Sequence, residues 1–285
     1  MFDRKLVIVS GKGGVGKSAI TASLALHAAR EGHRVLCIGM TDAVGLATHF
    51  GVASLAYEPR RVHAGIDAIA IDRAAALDEY LRIQLRIPKA APLRQFTKFF
   101  EELVDTAPGI REIITMGKPL FETWRTTYDR VIVDAPPIGQ LISYLRAPAT
   151  VANVVPTGAV REEAMRMRLT IADPARTGLL IVTMPEELPV VETIEALREM
   201  GDEALIDLIG IVINRVIYPL SAESSAIENL AEGPLKDAAI LHQRLAAEQS
   251  RWLELLPDGP RLPHLFGLLT PGEIAAALSD QWDEL

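Results

Sequence analysis

Apolar runs of strand length alternate along the chain with longer stretches of helical period. The strand-like runs fall at 5–10, 34–38, 68–71, 130–134, 150–155, 179–183, 208–213 and 261–265. Most are short and almost unbroken, as in Leu6-Val7-Ile8-Val9 and Val131-Ile132-Val133, which is the pattern of strands buried on both faces. Between them, helical spacing of apolar positions predicts helices at 17–30, 74–86, 137–146, 161–172, 190–200, 236–256 and 271–278. Repeated strand-then-helix order predicts an α/β fold: a doubly wound, mostly parallel sheet covered on both faces. Residues 87–124 break the alternation. They look helical throughout but are cut by Pro88, Pro92 and Pro108, so they are read as a helical insertion in a single domain spanning 1–285. Phe96, Phe99, Phe100, Leu103 and Ile110 in that stretch are assigned to the core of a small cap.

Composition narrows the class. With 49% hydrophobic and 23% charged residues, a chain of 285 residues can bury a sizeable core. Acidic residues outnumber basic ones 37 to 29, giving a net charge of -8, so nucleic acid is not an expected partner. Cys37 is the one cysteine, set in the apolar run Val35-Leu36-Cys37-Ile38; this excludes an internal disulfide and any cluster of several thiolates. No uncharged apolar run reaches the ~18–20 residues of a membrane span. Asp3, Arg4 and Lys5 lead directly into the first strand with no cleavable leader pattern. A soluble cytoplasmic protein is expected.

The strongest chemical signal is Gly11-Lys12-Gly13-Gly14-Val15-Gly16-Lys17-Ser18, which fits G-x-x-x-x-G-K-[ST] and lies between a strand and a helix. Gly13, Gly14, Val15 and Gly16 would turn successive N–H groups toward one anion, and the helix start adds positive potential. Lys17 would meet the outer phosphates, and Ser18 would offer its hydroxyl to Mg2+. A second metal partner is expected at the end of a later strand. Tyr128-Asp129-Arg130-Val131-Ile132-Val133-Asp134 supplies it: Asp134 would polarise a water on the metal, and 135–140 would sense the γ-phosphate.

A plain phosphate loop has no need of a lysine at its second position. The run from Lys12 to Ser18 resembles the deviant Walker A loop shared by the ParA, MinD, nitrogenase iron protein and ArsA group. Three further stretches narrow the branch. Asp134-Ala135-Pro136-Pro137-Ile138-Gly139-Gln140 resembles the D-T-A-P-T-G-H switch of ArsA and of the ATPases that target tail-anchored membrane proteins. Val182-Thr183-Met184-Pro185-Glu186-Glu187-Leu188-Pro189, leading into Val191-Glu192-Thr193, is similar to a strand-to-helix loop of the same proteins. Ala107-Pro108-Gly109-Ile110-Arg111-Glu112 is similar to their A-P-G-x-x-E segment. The chain therefore resembles the ArsA/Get-like class.

That resemblance implies an ATPase that switches a dimer between closed and open states, with ATP and Mg2+ as its cofactors; slow turnover in the absence of a partner is expected where Asp42, the loop's one carboxylate, is poorly placed before a partner binds. It implies that Lys12 reaches across the dimer to phosphates on the other subunit, a homodimer or a heterodimer with a paralogue. It further implies that Asn214 reads adenine and that Pro263, in Leu262-Pro263-His264-Leu265, closes over the base. A protein client is implied but not identified. A ParA/MinD-type positioning ATPase and a non-hydrolysing regulatory subunit remain the alternatives.

Departures from the class limit what carries over. One cysteine cannot form the thiolate site for arsenite or the dimer-bridging zinc site. Met116 is the only methionine of the 87–124 segment, where charged residues interrupt the apolar positions, so no groove for an apolar helix is expected. The class places an aspartate after the second strand to orient the attacking water. Here the stretch is Gly39-Met40-Thr41-Asp42-Ala43-Val44-Gly45-Leu46-Ala47-Thr48. Set against T-D-P-A-H-N-L, Thr41 takes the catalytic position and Asp42 that of the proline. Set against D-x-D-P-Q-G-N-A-T, Asp42 is the water-orienting carboxylate, with Gly45, Ala47 and Thr48 also matching. Asp42 is the only carboxylate between Glu31 and Glu58.

Overall fold

The computed structural model describes residues 3–41, 43–85, 109–221 and 224–284. Eight strands form one sheet in the order β3-β4-β2-β5-β1-β6-β7-β8. They are β1 (Leu6–Gly11), β2 (Val35–Gly39), β3 (Arg60–His63), β4 (Ile66–Ala70), β5 (Arg130–Asp134), β6 (Thr177–Thr183), β7 (Leu208–Val216) and β8 (Arg261–Pro263). Every pairing is parallel except that of β3 with β4. The sheet is thus the doubly wound α/β arrangement that the alternating pattern predicts.

β1 occupies the middle because all six of its residues are buried and none needs a wet face. Its side chains alternate. Leu6 and Ile8 join the core under one helical layer, while Val7 and Val9 join the other. The first layer contains α4 (Ile110–Trp124), α5 (Ile138–Val154), α6 (Ala159–Ala172) and α7 (Glu187–Glu203), with Met116, Leu141, Met167 and Met200 facing inward. The second contains α1 (Lys17–Arg30) and α10 (Pro271–Gln281), whose Ile20, Leu24 and Leu278 pack with Val7 and Val9. The remaining helices are α2 (Val44–His49), α3 (Arg73–Leu85), α8 (Ser224–Glu228) and α9 (Pro234–Leu253). Among the described residues, no helix is long and apolar enough to cross a membrane.

Several expectations are corrected. Residues 150–155 form no strand; they end α5, which runs through Pro148 to Val154. Their β-branched residues imitate a strand, but Ala147, Pro148, Val151 and Ala152 bury one helical face, and Val154 is 74% exposed. Strands β5 and β6 already occupy both sides of β1. Conversely, β3 was not expected. Its Arg60-Arg61-Val62-His63 is polar because it is an exposed, antiparallel edge, held by a turn at Gly65 and by Arg61–Asp67 pairing at 2.7 Å.

Of the 87–124 segment, Gly109 to Trp124 is described. Gly109 takes φ 84 at the start of α4, which buries Ile113, Ile114, Met116 and Leu120 and contains Pro119. Ile110 packs partly buried against this core. Phe96, Phe99, Phe100 and Leu103, like Ala107 and Pro108, lie outside the described residues. Cys37 is fully buried, and its desolvation pushes the thiol far above the usual cysteine range.

Candidate functional site

Strand C-terminal ends in a doubly wound sheet converge on a crevice, and here the loop after β1 lies in it. Gly11 takes φ 151, and a Cβ there would stand 2.0 Å from the Val182 carbonyl oxygen, so only glycine lets the loop leave β1 beside β6. Val15 is fully buried and anchors the loop in the core, while Gly13 and Gly14 are exposed. Gly16, at φ 96, precedes α1; no side chain caps that helix start and no acidic residue lies in its first turn. Such a terminus presents N–H groups and positive potential to an anion.

Two side chains bring cationic and metal-binding chemistry to this cradle. Lys17 Nζ donates to the Lys12 carbonyl at 3.0 Å. Burial pulls its amine below the usual lysine range, and the Asp134 carboxylate opposes that shift. Ser18 Oγ donates to Asp134 Oδ2 at 2.5 Å. Asp134 sits opposite Val9 on one side and Gly39 on the other, so the sheet register itself carries this carboxylate to the loop. Ser10 Oγ donates to the Pro136 carbonyl at 2.7 Å and ties the segment after Asp134 back to β1. A hydroxyl and one carboxylate suit Mg2+, which takes few protein ligands and completes its shell with phosphate and water.

The opposite end of the cleft is assembled from distant segments. Asn214 is 4% exposed at β7; its Nδ2 donates to the Val15 carbonyl at 2.9 Å, and its Oδ1 accepts from Arg215 N at 2.9 Å. One amide hydrogen and one lone pair remain for a ligand. Pro263 lines the cleft with His264 and Leu265. The cleft, about 410 Å³, also takes in Gly14, Gly16, Lys17 and Ser18, a size suited to a small ligand.

Lys12 lies at the rim rather than in the cleft. Its amine pairs with Glu192 on α7 in the same chain. Asp42 lies outside the described residues. The short helix that follows it packs closely on the loop, since a Cβ on Gly45 would stand 2.8 Å from Ser18 Oγ. Three neighbours were not anticipated. His49 and Arg215 line the cleft, and Glu192 holds Lys12. His49 Nδ1 meets the Gly45 carbonyl at 2.7 Å, and burial lowers its pKa. Glu192 lies within the 182–193 stretch already singled out; neither His49 nor Arg215 has any local signal.

Comparison with known proteins gives a consistent picture. The family described as anion-transporting ATPase matches residues 4–161. The chain is 31% identical over 240 residues to ATPase BagA of Mycobacterium tuberculosis, covering 80% of this chain and 70% of that protein. It is 24% identical over 250 residues to ATPase GET3 of Chaetomium globosum, covering 75% and 73%. A putative arsenical pump-driving ATPase of Halobacterium salinarum is 25% identical over 252 residues, covering 80% of this chain and 38% of that protein.

Proposed function

Because the chain belongs to the anion-transporting ATPase family, we propose that its ATP hydrolysis is Mg2+-dependent and drives a dimeric switch that acts on a protein client in the cytoplasm. The observation that carries this reading is the Ser18 hydroxyl held on the Asp134 carboxylate beneath a glycine loop with an uncapped helix start. Gly13, Gly14, Val15 and Gly16 surround the β-phosphate with backbone N–H groups, and Lys17 compensates the outer phosphate charge. Ser18 and Asp134 would hold Mg2+, which when bound would supply positive charge to offset the phosphate charge. Asn214 hydrogen-bonds the adenine edge, and Pro263 packs on its ring.

Hydrolysis needs a water in line with the γ-phosphate and a group that holds it and accepts its proton. We assign that work to Asp42. Lys12 supplies charge to the phosphates of a facing subunit, either a second copy or a paralogue, so turnover is slow until two subunits meet. One cysteine in the whole chain argues against thiolate capture of arsenite and against a bridging zinc.

The test measures subunit association by light scattering and single-turnover cleavage under saturating Mg-ATP, for wild type, Lys12→Ala and Asp42→Asn. ATP should promote a dimer. Both variants should bind ATP but cleave it at least about a hundredfold more slowly, a loss expected when a transition-state contact is removed. A chain that stays monomeric with every nucleotide and cleaves ATP equally well without Lys12 overturns the switch. Equal cleavage by Asp42→Asn moves the water-orienting role elsewhere.

A further inference from the structure

Strand β7 carries an irregularity where it meets the cleft. Its pairing with β8 shifts register between Ile213 and Val216, so Asn214 and Arg215 lie in a bulge. Arg215 takes φ 57, a left-handed conformation that a residue with a Cβ disfavours unless its surroundings impose it. The bulge turns Asn214 inward onto the phosphate loop while Arg215 stays exposed. Two amides fix the strained residue. Asn214 Oδ1 accepts from Arg215 N at 2.9 Å, and Gln249 Nε2 donates to Arg215 O at 3.1 Å. The other end of the same Gln249 amide accepts from Ile217 N at 2.7 Å. Only one orientation of that amide satisfies both backbone groups.

We infer that Gln249 is the positioning residue for base recognition: its bidentate grip on Arg215 and Ile217 holds the bulge that aims Asn214 into the cleft. The inference rests on the reading of Asn214 as the adenine contact. Gln249 comes from α9, a helix in which Ala246 is the one fully buried residue. Its amide serves the backbone of β7, while Trp252 and Leu253 of the same helix pack against the cluster that contains Ile213 and Val216. A glycine at 215 would adopt the left-handed turn without the Cβ penalty and so lessen the strain that the grip has to hold.

The test compares the ATP-to-GTP ratio of kcat/KM for wild type, Asn214→Ala, Gln249→Leu, Arg215→Gly and the Gln249→Leu/Arg215→Gly pair, with thermal unfolding of each. Gln249→Leu should reduce the preference for ATP about tenfold through KM, with kcat at saturation little changed, as expected for loss of two hydrogen bonds. Arg215→Gly should keep the ratio, and the pair should recover it. Comparing ratios cancels any effect of the arginine charge on phosphate, which both nucleotides share. If Asn214→Ala abolishes the preference while Gln249→Leu leaves it intact, the inference is wrong. If Asn214→Ala itself leaves the ratio unchanged, the adenine reading falls. Loss of preference in Gln249→Leu without recovery in the pair would show that Gln249 acts through general stability. Should Gln249→Leu fail to fold, Gln249→Glu keeps an acceptor for Ile217 N and removes the donor to Arg215 O; an unchanged ratio there overturns the grip.

Discussion

The two ends of the cleft proposed to hold the nucleotide are built differently. The phosphate end is one continuous stretch: β1, the glycine loop and the start of α1, with Val15 sealed into the core beneath it. The base end has no such continuity. Asn214 bonds a loop residue 199 positions away, and the backbone beside it is held by a side chain 34 positions further on. In the proposed reading the contiguous loop, with the Lys17 amine and the Ser18–Asp134 pair, governs phosphate affinity, whereas a tertiary assembly governs selectivity through a few polar contacts that a single substitution can loosen. Affinity and selectivity should therefore be separable by mutation.

The largest separation is expected from Lys17→Ala. It removes charge at the phosphate end only, so ATP and GTP should both lose affinity by on the order of a hundredfold, as for a charge-assisted contact to several phosphate oxygens. Calorimetry with each nucleotide checks this, and a loss confined to ATP would mean the two ends are not independent. Gly16→Ala sharpens the comparison, because this residue belongs to both ends. Its added Cβ would stand 2.4 Å from Asn214 Nδ2 on a backbone at φ 96, so the loop and the amide cannot both keep their places. About tenfold weaker ATP binding together with a reduced ATP preference is expected from strain of this kind. Weaker binding with the preference intact would show that the loop yields and Asn214 stays.

The same division governs what the sequence discloses. Residues 17–30 are legible as a helix to the residue, because period and loop signal agree locally. Ser18 and Asp134 are legible as partners because a parallel sheet brings strand ends together by rule. The bulge at Asn214 and Arg215 is not. Neither residue is a glycine, and the left-handed turn at Arg215 is bonded by the side chains of Asn214 and of Gln249, 34 positions on, which no local pattern announces. Misreading 150–155 has the same root. A β-branched run looks like a strand until β5 and β6 are seen to occupy both places beside β1. Edge strand β3 is hidden by the opposite effect, being exposed and polar.

The smallest predicted effect lies at the rim, where Lys12 pairs with Glu192 of its own chain. In the proposed switch this lysine must leave that carboxylate to reach a facing subunit, so the pair opposes association. Their side chains are 25% and 44% exposed, and ion pairs in such surroundings are worth about 0–1 kcal/mol. Glu192→Gln should accordingly favour ATP-dependent pairing by no more than about fivefold for each subunit that carries it, a factor that corresponds to that energy. Light scattering across a concentration series reads the change, and steady-state turnover at one fixed concentration should rise in step. Salt provides the control: screening should promote pairing of the wild type, because it weakens the same internal contact, and should promote it less in Glu192→Gln. Weaker association of the variant would assign Glu192 to the subunit interface and remove it as a restraint on Lys12.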